Sequence, residues 1–194
     1  MTNLKSFLDF CKAVQPQSQK DIQRFFEGVV YFPYDKELLL QSFLYLNLSD
    51  YFPNFTDLLL FEKALDGSST HDSKCDFIFL TEQQKIALVE TKYIDTDQSG
   101  ATAKKRRNHH RNKVFAQVKT LKQKIVEKHS LSPELIDCYV FTTEDLSGRA
   151  EIDIASKYIL IQELEKWTKK VKAIDFDCFI FLVYRLETKT FNVY

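Results

Sequence analysis

Three residues in the stretch CDFIFLTEQQKIALVETK, residues 75–92, have the types and spacing to do chemistry: Asp76 and, fourteen positions later, Glu90 with Lys92. Residues two apart in a strand share a face, so Glu90 and Lys92 point the same way, along with Leu88 and Ile86. A hairpin that lays Asp76 beside the Glu90 end brings two carboxylates and one ammonium to one spot at the edge of a sheet. Carboxylates that close repel each other unless a hard cation sits between them. Oxygen ligands of this kind suit Mg²⁺, which is commonly held by one or two carboxylates together with substrate phosphates. A neighbouring lysine can then orient or help deprotonate an attacking water, or stabilise charge developing on a phosphate.

The tripeptide acid-x-Lys is not distinctive by itself, since it occurs at Asp72-Ser73-Lys74, Glu90-Thr91-Lys92 and Glu187-Thr188-Lys189. Asp72 lies in a polar loop, GSSTHDSK, with no strand beneath it. Glu187 is a closer mimic, because DFDCFIFLVYRLETK also carries Asp177 upstream, but LETKT reads as a turn and only five residues follow Lys189. That leaves no room for a helix after it. The plain alternative for Glu90 and Lys92 is a solvated strand end.

Asp76 followed by Glu90-Thr91-Lys92, each in a strand of a hairpin and ahead of a helix, resembles the core of the PD-(D/E)xK nuclease superfamily over residues 35–142. Its members are Mg²⁺-dependent phosphodiesterases, among them restriction endonucleases, junction resolvases and recombination exonucleases. The resemblance implies a restriction-endonuclease-like α/β fold, with a central mixed β-sheet flanked by helices. It implies a metal-dependent nuclease acting on nucleic acid, DNA before RNA, of repair, recombination or restriction/defence type, with Mg²⁺ as cofactor and Mn²⁺ able to substitute. Asp76 and Glu90 would bind the metal, the Thr91 carbonyl would add a ligand, and Lys92 would act on the water. Cys75 stands where the superfamily's name has Pro.

Some branches of that superfamily add a Gln on the next helix, often as Gln-x-x-x-Tyr. Gln117 takes that place here, with Leu121 instead of Tyr, and an ordinary interfacial Gln is the alternative. Others place a Glu on the first helix of the fold, where Glu37 fits and Glu27 and Glu62 compete. A homodimer is a further expectation for an enzyme that cuts both strands.

The run KKRRNHHRNK, residues 104–113, holds six Lys or Arg in ten positions and no acid. Lys104, Lys105, Arg106, Arg107, Arg111 and Lys113 would grip phosphates along a nucleic-acid backbone without reading sequence, and His109 and His110 can join them. A solvated helix face is the bland reading of the same charges. No second His or Cys stands at metal-ligand spacing, which argues against zinc.

These groups need elements to hold them. Residues 3–14 read as an amphipathic helix, and Ser18 or Asp21 can cap a second helix running to Tyr31, the two forming an N-terminal helical extension over 1–34. Asp35 caps KELLLQSFLYLNL, a third helix. Periodicity leaves 54–66 open between helix and edge strand. Residues 75–81 and 85–93 read as strands split by EQQ, and Val114, Val118, Leu121 and Ile125 mark a helix that follows a polar stretch. LIDCYVFTT reads as a strand, 151–172 as a helix, and DFDCFIFLVYRL with TKTFNVY as a closing hairpin. Near-continuous apolar strands predict a sheet covered on both faces.

With 194 residues, 44% of them hydrophobic, and only four Gly and four Pro, the chain reads as one unit with an ample core and no linker. Lys+Arg and Asp+Glu are balanced at 27 each, so any attraction for nucleic acid must come from local clustering. The four cysteines are scattered, which predicts free thiols and a cytoplasmic protein, and no segment is apolar enough for a membrane span. The absence of G-x-x-x-x-G-K-[ST], G-x-G-x-x-G and G-x-S-x-G argues against a P-loop NTPase, a dinucleotide enzyme and an α/β-hydrolase. The alternative to a nuclease is a non-catalytic nucleic-acid-binding or protein-interaction module on the same fold.

Overall fold

The structure, a computed structural model, describes residues 3–15, 17–32, 35–64, 74–149 and 153–173. Two helices, α1 (Asn3–Val14) and α2 (Gln19–Tyr31), precede α3 (Lys36–Leu46) and the single turn α4 (Leu48–Tyr51). Strands β1 (Phe55–Ala64), β2 (Lys74–Thr81) and β3 (Ile86–Lys92) form an antiparallel meander. The helix α5 (Ala101–His129) then crosses over to β4 (Ile136–Thr142), which lies parallel to β3, and β5 (Ile154–Tyr158) lies parallel to β4. A last helix, α6, covers 161–173. The sheet is therefore mixed, five-stranded and ordered β1-β2-β3-β4-β5.

Local chemistry explains most boundaries. Ser18 accepts from the Asp21 amide at the start of α2, and Asp35 accepts from the Glu37 amide at the start of α3, each satisfying a donor that the first helical turn leaves open. Gly100 has φ +99°, a conformation that costs a residue with a Cβ, and α5 begins at the next residue. The basic run is consequently helical rather than part of a polar loop leading into the helix. The β2–β3 turn closes through the Thr81 amide, which donates to the Lys85 carbonyl, and Gln84 takes φ 58° there.

Both faces of the sheet are covered, as the apolar strands require. Every residue of β3 except Lys92 is buried. On one face Ile78, Ile86, Leu88 and Val140 pack against Val114, Val118, Leu121 and Ile125 of α5 and against Phe7 and Cys11 of α1. On the other, Phe77, Phe79, Val89 and Phe141 pack against Phe26 of α2, Leu40 and Phe43 of α3 and Leu164 of α6. The two N-terminal helices, expected as a helical extension over 1–34, pack into opposite layers. Cys11, Cys75 and Cys138 are buried free thiols, and burial pushes Cys11 up to about 12 and Cys138 up to about 11.

Two sequence expectations change. Residues 54–66, left open, hold β1, because its backbone groups find partners along β2, with Phe61 opposite Phe77. Residues 151–172, expected to be one helix, contain β5 followed by α6. Ile154 lies opposite Cys138 of β4, and the strand exists because that neighbour offers its backbone. The expected closing hairpin and the Glu187-Thr188-Lys189 mimic lie outside the described residues. No helix among the described residues is long and apolar enough to cross a membrane.

The aromatic layer beneath α2 has a test. Phe26 is fully buried among Tyr45, Phe61 and Phe77 at centroid distances of 4.6, 4.7 and 5.8 Å. Phe26→Ala should cost about 3–5 kcal/mol in urea unfolding, whereas Phe32→Ala, at a ring 82% exposed, should shift stability by about 0.5 kcal/mol or less.

Candidate active site

The pairing of β2 with β3 runs from Leu80–Ile86 to Phe77–Val89 and ends there. One residue further on, side chains take over from the backbone. The Asp76 amide donates to Glu90 Oε1 at 3.2 Å, and Asp76 Oδ2 accepts from both the Thr91 amide and the Thr91 hydroxyl at 2.7 Å each. The two carboxylates that the sequence separates by fourteen positions are thereby locked together at the end of the hairpin.

Lys92, two residues beyond Glu90 at the end of β3, is not among the residues that line the cleft with the two acids and meets Glu37 instead. Its Nζ donates to Glu37 Oε1 and Oε2 at 2.6 and 2.7 Å, so α3 and β3 are joined by a two-pronged ion pair. Among the three glutamates weighed from sequence, Glu37 holds Lys92. Glu62 faces the site from β1, standing between the pairs Phe61–Phe77 and Lys63–Cys75 and therefore opposite Asp76. Glu27 bonds to Gln23 within α2.

The electrostatics follow from this crowding. Burial is the main cause that lifts Asp76 to about 6, against the pull of its two Thr91 hydrogen bonds, and the charges of Glu37 and Glu62 add to the rise. Glu90, only 3% exposed, is pushed well above the usual carboxylate range by burial first and then by the charge of Asp76. Both groups therefore hold their protons more tightly than free carboxylates do.

A cleft of about 630 Å³ opens beside this cluster along α5. Asp76 and Glu90 line it together with Lys74, Lys113, Gln117 and Lys124. Lys113, Gln117 and Lys124 share one face of α5, at spacings that follow the helical repeat. Gln117 and Lys113 are expected residues that reach this cleft, Lys124 extends the basic cluster down the same helix, and Lys74 is an addition. Lys74 had the wrong local context, a polar segment, and only the sheet brings it to the site.

The rest of the basic run divides. Lys104 and Lys105 are exposed on α5. Arg106 and Arg107 bond to the side chain and backbone of Gln98. Arg111, expected to contact phosphate, bonds to both carboxylate oxygens of Glu144, which lies just beyond β4, and to Asn108. His110 hydrogen-bonds the Tyr93 backbone beside Lys92, and burial, followed by the Lys92 charge, holds its imidazole below its ordinary value.

As a metal site the donor set is limited but suitable. Among the described residues no group of three or more His, Cys, Asp or Glu side chains converges as a metal site. Two buried carboxylates that resist ionisation together are nevertheless hard oxygen donors of the kind that Mg²⁺ accepts in ones and twos. Of Thr91, the amide and hydroxyl have assigned partners, both on Asp76.

Set against protein-family models, curated proteins and solved structures, the chain matches none of them. Fold and site define an α/β protein with a five-stranded mixed sheet flanked by helices, carrying an acidic cluster at the open end of its central hairpin.

The raised carboxyls fix the sign of a pH effect. The folded chain binds protons more tightly than the unfolded chain, so this stabilisation is full below the ordinary Asp value of 3.8 and is lost as pH rises through about 6. Asp76→Asn keeps an oxygen for the Thr91 donors and removes the charge. In EDTA it should melt roughly 3–8 °C above the parent at pH 8, and the gap should close by pH 4. A pH-independent difference would mean that the Asp76 charge is not what strains the site.

Proposed function

We propose that this chain is a Mg²⁺-dependent nuclease of the PD-(D/E)xK type on a restriction-endonuclease-like core, hydrolysing phosphodiester bonds in nucleic acid, DNA before RNA. The observation that carries the reading is the exchange of carboxylate and amide between Asp76, Glu90 and Thr91, with the Glu37–Lys92 ion pair beside it. Asp76, Glu90 and the Thr91 carbonyl would hold the cation, which supplies Lewis-acid polarisation of the scissile phosphate.

The chain's own groups have separable tasks. Lys92 presents a fixed ammonium that orients the attacking water and faces the charge building on the phosphate. Glu37 is a positioning residue, because its two oxygens set where that ammonium lies. Lys74, Lys113 and Lys124 line the cleft with positive charge that draws in the backbone of the substrate, and the Gln117 amide can donate to a phosphate oxygen. Acids and lysines line the same cleft, a mixture that suits a polyanion bound over a cation. A homodimer would let two such sites act on opposite strands.

The test uses linear, circular, single-stranded and branched DNA in Mg²⁺ or Mn²⁺. Glu90→Ala and Lys92→Ala should each lower cleavage by about 100-fold or more with the fold intact, and EDTA should stop it. If both variants cut as well as the parent, the reading is wrong. Binding that survives EDTA, with no products on any substrate, would instead favour the non-catalytic module. Independently of activity, Mg²⁺ should raise the melting temperature of the parent at pH 8 and leave that of Asp76→Asn unchanged.

A further inference from the structure

We propose that a second pocket, which shares Asp76 with the α5 cleft, receives an unpaired nucleobase bearing an exocyclic amino group. The proposal rests on the nuclease reading for the identity of its ligand as part of a nucleic acid. The pocket, about 240 Å³, lies among α2, α3 and the β1–β2 edge and is lined by Phe25, Glu37, Gln41, Phe61, Glu62 and Asp76. A base seated there belongs to a nucleotide close to the phosphate over Asp76, because Asp76 lines both spaces.

Gln41 is the observation that points to a ligand. It is 2% exposed, and its Nε2 donates to Glu62 Oε1 at 3.3 Å. A carboxylate accepts only, so the amide orientation is set and the Gln41 oxygen faces away from Glu62. That oxygen has no hydrogen-bond partner among the described residues. A buried acceptor in that state calls for a donor.

The walls narrow the ligand class. The polar side of the pocket is lined by Gln41 with Glu37, Glu62 and Asp76, whose carboxylates repel a phosphate and attract N–H groups. The apolar side is aromatic. Phe25 is 46% exposed although large, with its ring against Phe26 at 5.3 Å and Phe61 at 5.9 Å, so one surface of the ring is left for a flat partner. A planar heterocycle with an amino group satisfies both sides at once: stacking on Phe25 and donating to Gln41. Thymine and uracil fit less well, since carbonyls flank their N–H and would face the same acceptors. Because the donor edge is the one used in pairing, the base must be unpaired, and the enzyme would favour single-stranded or frayed substrate.

Short single-stranded oligonucleotides of dC and dT, which differ chiefly in a ring amino group against a carbonyl, provide the test by fluorescence anisotropy in EDTA. The parent should bind dC at least about fivefold more tightly than dT. Phe25→Ala should weaken dC binding about fivefold or more, Gln41→Leu should abolish the preference for dC, and Phe32→Ala should change neither. Should Gln41→Leu fail to fold, the exposed Phe25 decides the matter. Equal affinity for dC and dT, no binding of either, or full dC affinity in Phe25→Ala would each overturn the proposal. The two readings fail separately: base preference without Mg²⁺-dependent cleavage rejects the nuclease alone, and cleavage without base preference rejects the pocket alone.

Discussion

The interaction on which the site depends is the handover from backbone to side chain at the end of the central hairpin. Past Phe77 and Val89, Glu90 takes the Asp76 amide and Asp76 takes the Thr91 amide and hydroxyl. A strand pair that simply continued would leave two carboxylates free to turn to solvent. Here each is tied to the main chain of the opposite strand. Their charge is confined, and their separation is set by the rigid spacing of a β-ladder rather than by rotamer choice.

The rest of the fold supports that confinement. Apolar layers on both faces exclude water from the strands that carry the acids, which is why burial is the first cause of the rise at Asp76 and at Glu90. α3 brings Glu37 over the sheet, its N-terminus fixed by Asp35, and Glu37 in turn holds Lys92. α5 closes the opposite side and lines the cleft with Lys113, Gln117 and Lys124. Two helices far apart in sequence thus meet around one hairpin end, each anchored by an apolar face and contributing polar groups at its rim.

Much of this was legible in the chain. Asp76, Glu90 and Lys92 could be singled out because charged residues at the ends of apolar strands are costly unless something uses them, and the alternation of a strand puts Glu90 and Lys92 on one side. The α5 stripe of Val114, Val118, Leu121 and Ile125 could be read because a helix declares its buried face through its period. Glu62 was harder, since β1 has no signal apart from its pairing with β2, and its conformation, φ +47°, is unusual for any residue with a side chain. The partner of Arg111 was not legible, because a basic run looks the same whether its charges face solvent or a carboxylate such as Glu144.

By itself the sequence determined the helices and strands with strong periods or caps, the α/β character, the hairpin and the identity of the carboxylates and lysine at its end. These depend on contacts between near neighbours and on patterns that repeat within a few residues. Only the tertiary structure decided that β5 is a strand, that Glu37 rather than Glu27 meets Lys92, that Arg111 pairs with Glu144, and that Gln41 lies buried with an oxygen unmatched. Each of those outcomes depends on a partner tens of residues away. Pairing, burial and charge compensation between distant segments leave no mark in the local pattern until the chain is folded.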